Sequence, residues 1–375
     1  MKARVNTLLN IRTGTPEILP DNNTGDKYYI PGEVVDIAGA VIGEQYKDSN
    51  VWYQLDDGGF VWSGGVDNVG FPVFSSPAKT TIDTIDETQL DWPVINFGIN
   101  KIWEKYKICG ENARIAILDS GYAINHPLAY SKNISGWNFV KNNGDFSDVL
   151  GHGTAVASIT NTLNKKLVSV APGASYFIAK VKSGPSGIEV FIDTLLFLAR
   201  CNTVDIISIS YDYDSNDADF KFFEEPFRKA IEANSNKIIV CSAGNYTGKI
   251  DAFPAKFEHV IAVGSIDEHN KPASDSNQSD IVDVCAPGVN VKYLDIGNTN
   301  NYITGSGTSY ATPFVAGIAA LMVSYARKLR PSISVDNWNI SEIIKSSVSQ
   351  ADFTSPNNKL IDPKKCFENL LKKMN

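Results

Sequence analysis

Cysteine is scarce in this chain and poorly arranged for cross-linking. Cys109, Cys201, Cys241, Cys285 and Cys366 are scattered, odd in number and form no CxxC pair. That excludes a disulfide framework and leaves no Cys/His cluster with the spacing of a catalytic zinc site, so reduced, mostly buried thiols are expected. Positive charge is also in deficit. The 34 Lys and Arg against 42 Asp and Glu give a net charge of −8, which removes a general attraction to nucleic acid or to anionic membrane. Long apolar runs are missing too. The start, MKARVNTLLNIRTG, carries Lys2 and Arg4, but Asn6, Asn10 and Arg12 interrupt its apolar residues before a signal-peptide core can form. No other stretch is expected to approach the ~20 apolar residues of a membrane span. As written, the sequence reads as cytoplasmic.

The composition that remains is that of an ordinary globular protein. With 375 residues, 43% of them hydrophobic and 20% charged, the chain has room for one large domain and a small one. Residues 1–68 are short β-like runs between turns. In VWYQLDDGGFVW (51–62), Val51, Tyr53 and Leu55 alternate, Asp56 to Gly59 supply a turn, and Phe60 to Trp62 begin the return strand. With LNIRTG (9–14) and PGEVVDIAG (31–39), this hairpin resembles the bacterial Src-homology-3-like domain, a small β-barrel that usually serves as a binding module. Trp52 and Trp62 are then either an aromatic surface for a partner or the module's own core. Residues 69–93 are polar and proline-punctuated, and read as a linker. It is either a passive tether or, being extended and exposed, a segment open to cleavage between about Ser75 and Gln89.

From residue 94 to 375 the pattern changes to apolar strands alternating with amphipathic helices: ARIAILD, TAVASITNTL, VDIISIS, KIIVCSAG, HVIAVGSID and DIVDVCAPG. Near-continuous apolar strands separated by helices predict an α/β fold whose mostly parallel sheet is buried on both faces. The helix over 187–200 fits, with Ile188, Phe191, Leu195 and Leu198 on one stripe.

Four polar residues stand where such a sheet places chemistry. Asp119 ends ARIAILD and should emerge at the carboxyl edge of a central strand; alone it reads as a turn or cap residue. His152, in GHGTAVASI, has glycine on both sides and leads into a helix starting near Thr154, with Val156, Ile159 and Leu163 as its buried stripe. His126, His259 and His269 lie in bland surroundings. Ser309, in GSGTSYATPFVAGIAALM, sits where a Gly/Ser turn enters a long apolar helix. It reads alone as an N-cap, but as a nucleophile it would gain from the helix N-terminus; Pro313 is expected within the first turn. Asn245 ends KIIVCSAGN, and its amide can donate to a developing oxyanion.

Taken together, ILDSG, HGTAVASI, AGN and GTSYATPFVAG resemble the four signature segments of the subtilase family, in its Asp, His, Asn, Ser order. HP at 126–127, VAPGA at 170–174, FPAKF at 253–257 and CAPG at 285–288 fill the intervals, so the resemblance covers about residues 90–375. It implies a subtilisin-like three-layer fold and a serine endopeptidase whose triad is Asp119, His152 and Ser309, with Asn245 as oxyanion donor. A binding scaffold without turnover, and an esterase or peptide ligase using the same acyl-enzyme, are the competing readings. No cofactor is required. Family members often carry structural calcium, for which no diagnostic loop stands out.

The resemblance also implies that a protein or peptide substrate lies as an added strand between two segments. These are KVKSGPSG, with Ser183 and Gly184, and ISYDY, with Ser210, Tyr211 and Asp212; Gly244 lies beside Asn245. Here the chain departs from the family, which usually has Ser-Leu-Gly where Ser210, Tyr211 and Asp212 stand, so the pocket beside the scissile bond is not inherited by analogy. Asp212 is either a solvated charge or a specificity residue. Ala155 stands where a second His is common, and Ser158 where Gly is common. The small β-module occupies the place of the inhibitory prodomain of secreted members.

Overall fold

The structure, a computed structural model, describes residues 2–7, 9–13, 23–47, 49–66, 73–74, 87–129, 133–164, 166–182, 184–201, 203–298, 300–331, 339–350 and 359–374. Most of the linker 69–93 lies outside the described residues, as does most of the stretch read as cleavable. The chain opens with β1 (Lys2–Arg4), β2 (Leu9–Arg12), β3 (Asn23–Tyr29), β4 (Val34–Tyr46), β5 (Ser49–Leu55), β6 (Phe60–Trp62) and β7 (Val73–Phe74). These form one sheet in the order β1-β4-β5-β6-β2-β3, antiparallel throughout, with β7 added parallel to β4. The expected hairpin is β5 and β6, with Trp52 opposite Trp62. Both indoles are buried, at 3% and 7% exposure, and donate to the carbonyls of Glu44 and Ser49. They are core residues, which removes the reading of them as an aromatic surface. The core of this β-unit also runs without a break into that of the rest of the chain, and Cys201 Sγ lies 3.5 Å from the Ala38 carbonyl across the junction.

The larger part runs α1 (Trp92–Asn96), α2 (Ile99–Tyr106), β8 (Arg114–Asp119), β9 (Ile134–Asn138), α3 (His152–Asn161), β10 (Ser175–Lys180), α4 (Ile188–Ala199), β11 (Ile206–Ile209), β12 (Tyr213–Asp214), α5 (Ala218–Lys221), α6 (Glu224–Glu232), β13 (Ile238–Ser242) and β14 (Ala252–Phe253). It continues through β15 (Val260–Ile266), β16 (Val284–Pro287), β17 (Val291–Tyr293), β18 (Ile303–Gly305), α7 (Thr308–Leu329), α8 (Ile340–Ser346), β19 (Val348–Ser349), β20 (Leu360–Ile361) and α9 (Pro363–Met374). Nine strands make the central sheet, in the order β19-β20-β16-β15-β13-β11-β8-β10-β9, parallel except for β19 against β20.

Every residue of β8, β11, β13, β15 and β16 is buried, which is why these segments read as unbroken apolar runs. Parity sorts their side chains between two helical layers. Ile115 and Ile117 join the core with α3 and α7; Ala116 and Leu118 join the one with α4 and α6. From β8 the chain passes to β9 and β10 on one side and returns to β11 on the other. Connections leaving in opposite directions open a crevice at the carboxyl end of β8, where Asp119 lies.

Three sequence expectations need correction. The α3 helix begins at His152 and is buried on every side from Gly153 to Asn161, so no stripe exists and Leu163 falls outside it. Pro313 is not in the first turn of α7 but inside the helix. And α7, with 22 residues, is long and apolar enough to cross a membrane, although it is packed within the domain as its central helix. All five cysteines are buried thiols outside any disulfide.

Candidate active site

Asp119 shares the parity of Ile115 and Ile117, so its carboxylate faces the α3 layer. The first residue of α3 meets it there. His152 Nδ1 lies 2.8 Å from Asp119 Oδ1 and 3.0 Å from Oδ2, with Asp119 fully buried and the imidazole one-third exposed. Beside a carboxylate, Nδ1 carries the proton and donates, which leaves Nε2 as an acceptor toward the cleft. Burial pulls the His152 pKa down, but the charge and hydrogen bond of Asp119, helped by the charge of Asp148, outweigh it, and the net shift is upward.

The approach of helix to strand end depends on Gly153. A Cβ there would stand 2.4 Å from the Gly121 carbonyl oxygen and 3.1 Å from Asp119 Cβ. Gly153→Ala is therefore expected to cost about 1–3 kcal/mol, as overpacking does, and to lower kcat by moving His152 off Asp119. Urea unfolding checks the first part; an unchanged midpoint would mean that α3 has room to spare.

One residue that the sequence reading missed holds this corner together. Asp148 Oδ1 accepts from the N–H groups of Leu150 and Gly151 and the Ser120 hydroxyl, and Oδ2 accepts from the N–H and hydroxyl of Thr154. Burial raises its pKa, but this set of donors outweighs the burial and the net shift is downward. The signal was available: an acidic residue shortly before a helix entry is placed to take that helix's free N–H groups.

Ser309 is the second residue of α7. The ring of Pro313 removes the N–H that would bond to the Ser309 carbonyl, and the Ser210 hydroxyl donates to that oxygen instead, at 2.9 Å. In return the Ser309 hydroxyl donates to the Ser210 carbonyl at 3.3 Å. Among the described residues its hydrogen bond is this one and not one to His152. Asn245 Oδ1 accepts from the N–H and hydroxyl of Thr308, at 2.8 and 3.1 Å, so Nδ2 is the end of the exposed amide left to donate.

Of the residues read as substrate-binding, Ser183 lies outside the described residues. Gly184 is half-buried with φ +81° and opens the turn Pro185–Gly187. Tyr211 shares the parity of Ile207 and Ile209 and packs edge-on against Phe191 of α4. Its ring also stacks on His152 at 5.7 Å, and its hydroxyl donates to Asp119 Oδ1 at 3.4 Å. Asp212 accepts from the Tyr246 hydroxyl at 2.6 Å, beside Gly244. The structure thus groups Asp119, His152 and Tyr211, ties Ser210 to Ser309, and ties Asn245 to the residue before Ser309. Among the described residues no three His, Cys, Asp or Glu side chains gather to hold a metal ion, so no residue is assigned to a structural calcium.

A family model described as the subtilase family matches residues 110–360. The major intracellular serine protease of Bacillus subtilis (strain 168) is 33% identical over 264 residues, which are 66% of this chain and 80% of that protein. The thermophilic serine proteinase of Bacillus sp. (strain AK1) is 34% identical over 221 residues, 57% of this chain and 52% of that protein, so the chain spans about half the length of that relative. Among solved structures, a lanthipeptide protease aligns with a TM-score of 0.62 at 22% identity, covering 80% of this chain and 99% of that one. A cold adapted subtilisin-like serine proteinase aligns at 0.55 and 24%, covering 68% and 88%. At these identities the structural matches speak for the fold alone, which is subtilisin-like.

Proposed function

The chain belongs to the subtilase family, and from that premise we propose that it is a serine endopeptidase acting through Asp119, His152 and Ser309, with Asn245 as oxyanion donor. The observation that carries this reading is the two-point contact of His152 Nδ1 with a buried Asp119, which leaves Nε2 free as the base. For attack, the Ser309 hydroxyl turns from the Ser210 carbonyl to Nε2 and gives up its proton there. Its Oγ then bonds to the scissile carbonyl carbon. The Asn245 Nδ2 and the Ser309 backbone N–H take the oxyanion, at a helix N-terminus that favours negative charge. When the tetrahedral intermediate collapses, the C–N bond breaks and the amine leaves with the proton from His152; water then repeats the cycle on the acyl-enzyme. Side chains and backbone of the chain, with water, supply every group in this sequence, so it calls for no cofactor.

A fluorophosphonate probe tests the reading, because it reacts only with an activated serine oxygen. Labelling is expected at Ser309, identified by mass spectrometry of the digested protein, and absence of labelling would overturn the assignment in favour of an inactive scaffold. Asn245→Ala is expected to lower kcat by ~10²- to 10³-fold with little change in KM, the cost known for this donor in subtilisin. An effect mainly on KM would move Asn245 into substrate binding.

On the same reading the substrate is a protein or peptide, and the N-terminal β-unit, whose core joins that of the peptidase unit, serves as a binding module. Buried reduced thiols and relatives named as intracellular serine proteases support an intracellular setting.

A further inference from the structure

Strands β11 and β13 are parallel neighbours, with Ile209 opposite Cys241. Past their carboxyl ends the chain leaves as two adjacent loops, 210–212 and 243–246. Both hold the start of α7, the first through the paired hydrogen bonds of Ser210 and Ser309, the second through Asn245 and Thr308. The two loops therefore flank Ser309. Asp212 of the first and Tyr246 of the second meet, phenol to carboxylate, at 2.6 Å. Gly244, at φ +100°, gives them the space: a Cβ there would stand 2.3 Å from the Tyr246 ring and 3.0 Å from Asp212 Oδ2.

This carboxylate is electrostatically incomplete. It is half-buried, its Oδ1 takes no hydrogen bond from any described residue, and among the described residues no lysine or arginine pairs with it. Burial raises its pKa and only the Tyr246 hydroxyl opposes that, while Asp214 and Asp217 add to the negative field at Tyr246. A carboxylate taken partly out of water without a cation is a costly arrangement unless a ligand completes it.

We propose that the two loops part around a cationic side chain in a crevice between them, with Asp212 as its counter-ion and Tyr246 as its aromatic wall, so that the enzyme cleaves after lysine or arginine. The inference rests on the peptidase reading above. When Ser309 attacks a peptide carbonyl, the side chain of the residue that owns the carbonyl is the one nearest the crevice. Asp212 lies two residues beyond Ser210, roughly 7 Å of extended chain, a distance that a long basic side chain spans and a short one does not. The ammonium or guanidinium then meets Oδ1 in a charge-assisted hydrogen bond, and the Tyr246 ring packs on its stem.

The test is a set of matched peptides differing only in the residue before the scissile bond (Lys, Arg, Leu, Phe or Glu), given to the full chain with and without Asp212→Asn. For the wild type, kcat/KM is expected to be about 10- to 100-fold higher for Lys and Arg than for Leu, the weight of one charge-assisted contact. In Asp212→Asn that ratio is expected to fall at least about tenfold. Wild-type enzyme that takes a fluorophosphonate label and cleaves Leu or Phe peptides as well as basic ones would overturn the proposal and leave the peptidase reading standing. No label and no cleavage of any peptide would remove that reading, and the proposal with it. Because the wild-type profile decides the matter alone, a poorly folded Asp212→Asn does not blunt the test.

Discussion

Ser309→Ala is expected to lower peptide hydrolysis by about 10⁶-fold, the order that loss of the nucleophile costs in subtilisin itself, and to abolish fluorophosphonate labelling. The residual rate, ~10³- to 10⁴-fold above water, would come from the oxyanion donors and from substrate binding. The fold is expected to survive because the Ser309 hydroxyl is half-buried and makes a single 3.3 Å hydrogen bond, to the Ser210 carbonyl; losing it costs about 1 kcal/mol. The tie that fixes the loop, from the Ser210 hydroxyl to the Ser309 carbonyl, runs through the backbone and persists in alanine. Equal unfolding midpoints for the two proteins, with activity in one only, would separate chemistry from folding. Hydrolysis undiminished in the variant would sink the assignment, and a probe label found at another residue would redirect it.

How far the sequence could be read follows from what each feature depends on. The strands β8, β11, β13, β15 and β16 were legible because burial on both faces writes an unbroken apolar run. The edge strand β9, ISGWN, was not: a glycine and three half-buried residues leave neither run nor alternation. The two-residue strands β19 and β20 carry no pattern at all. In the proposed site, Asp119, His152, Asn245 and Ser309 could be picked out because each sits in a local motif set by backbone needs, such as the close approach at Gly153. The stacking of Tyr211 on His152 depends on the end of β11 meeting the start of α3, 59 positions apart, and the meeting of Asp212 with Tyr246 on neighbouring strands β11 and β13 bringing together residues 34 positions apart; no local pattern encodes either.

The Asp119–His152 pair carries the second large effect. Asp119→Asn is expected to lower kcat by about 10⁴-fold, although the side chain keeps its shape, because the amide can present N–H to Nδ1. That reverses the tautomer, putting the imidazole proton on Nε2, where it can no longer accept from Ser309. The pH profile distinguishes this from a loss of structure. Only neutral His152 serves as base, so activity falls as pH drops through its pKa, and kcat/KM reports that pKa in the free enzyme. In the wild type Asp119 outweighs burial and the pKa is raised, so the acid limb is expected above the ordinary ~6.5. In the asparagine variant the burial remains while the charge and its hydrogen bond are gone, leaving only the weaker pull of Asp148. The acid limb of the residual activity is therefore expected to move to lower pH. Measuring kcat/KM from about pH 5 to 9 on both proteins decides it. A flat wild-type profile would contradict a histidine base, and an acid limb that stays in place in the variant would show that the upward pull on His152 does not come from Asp119.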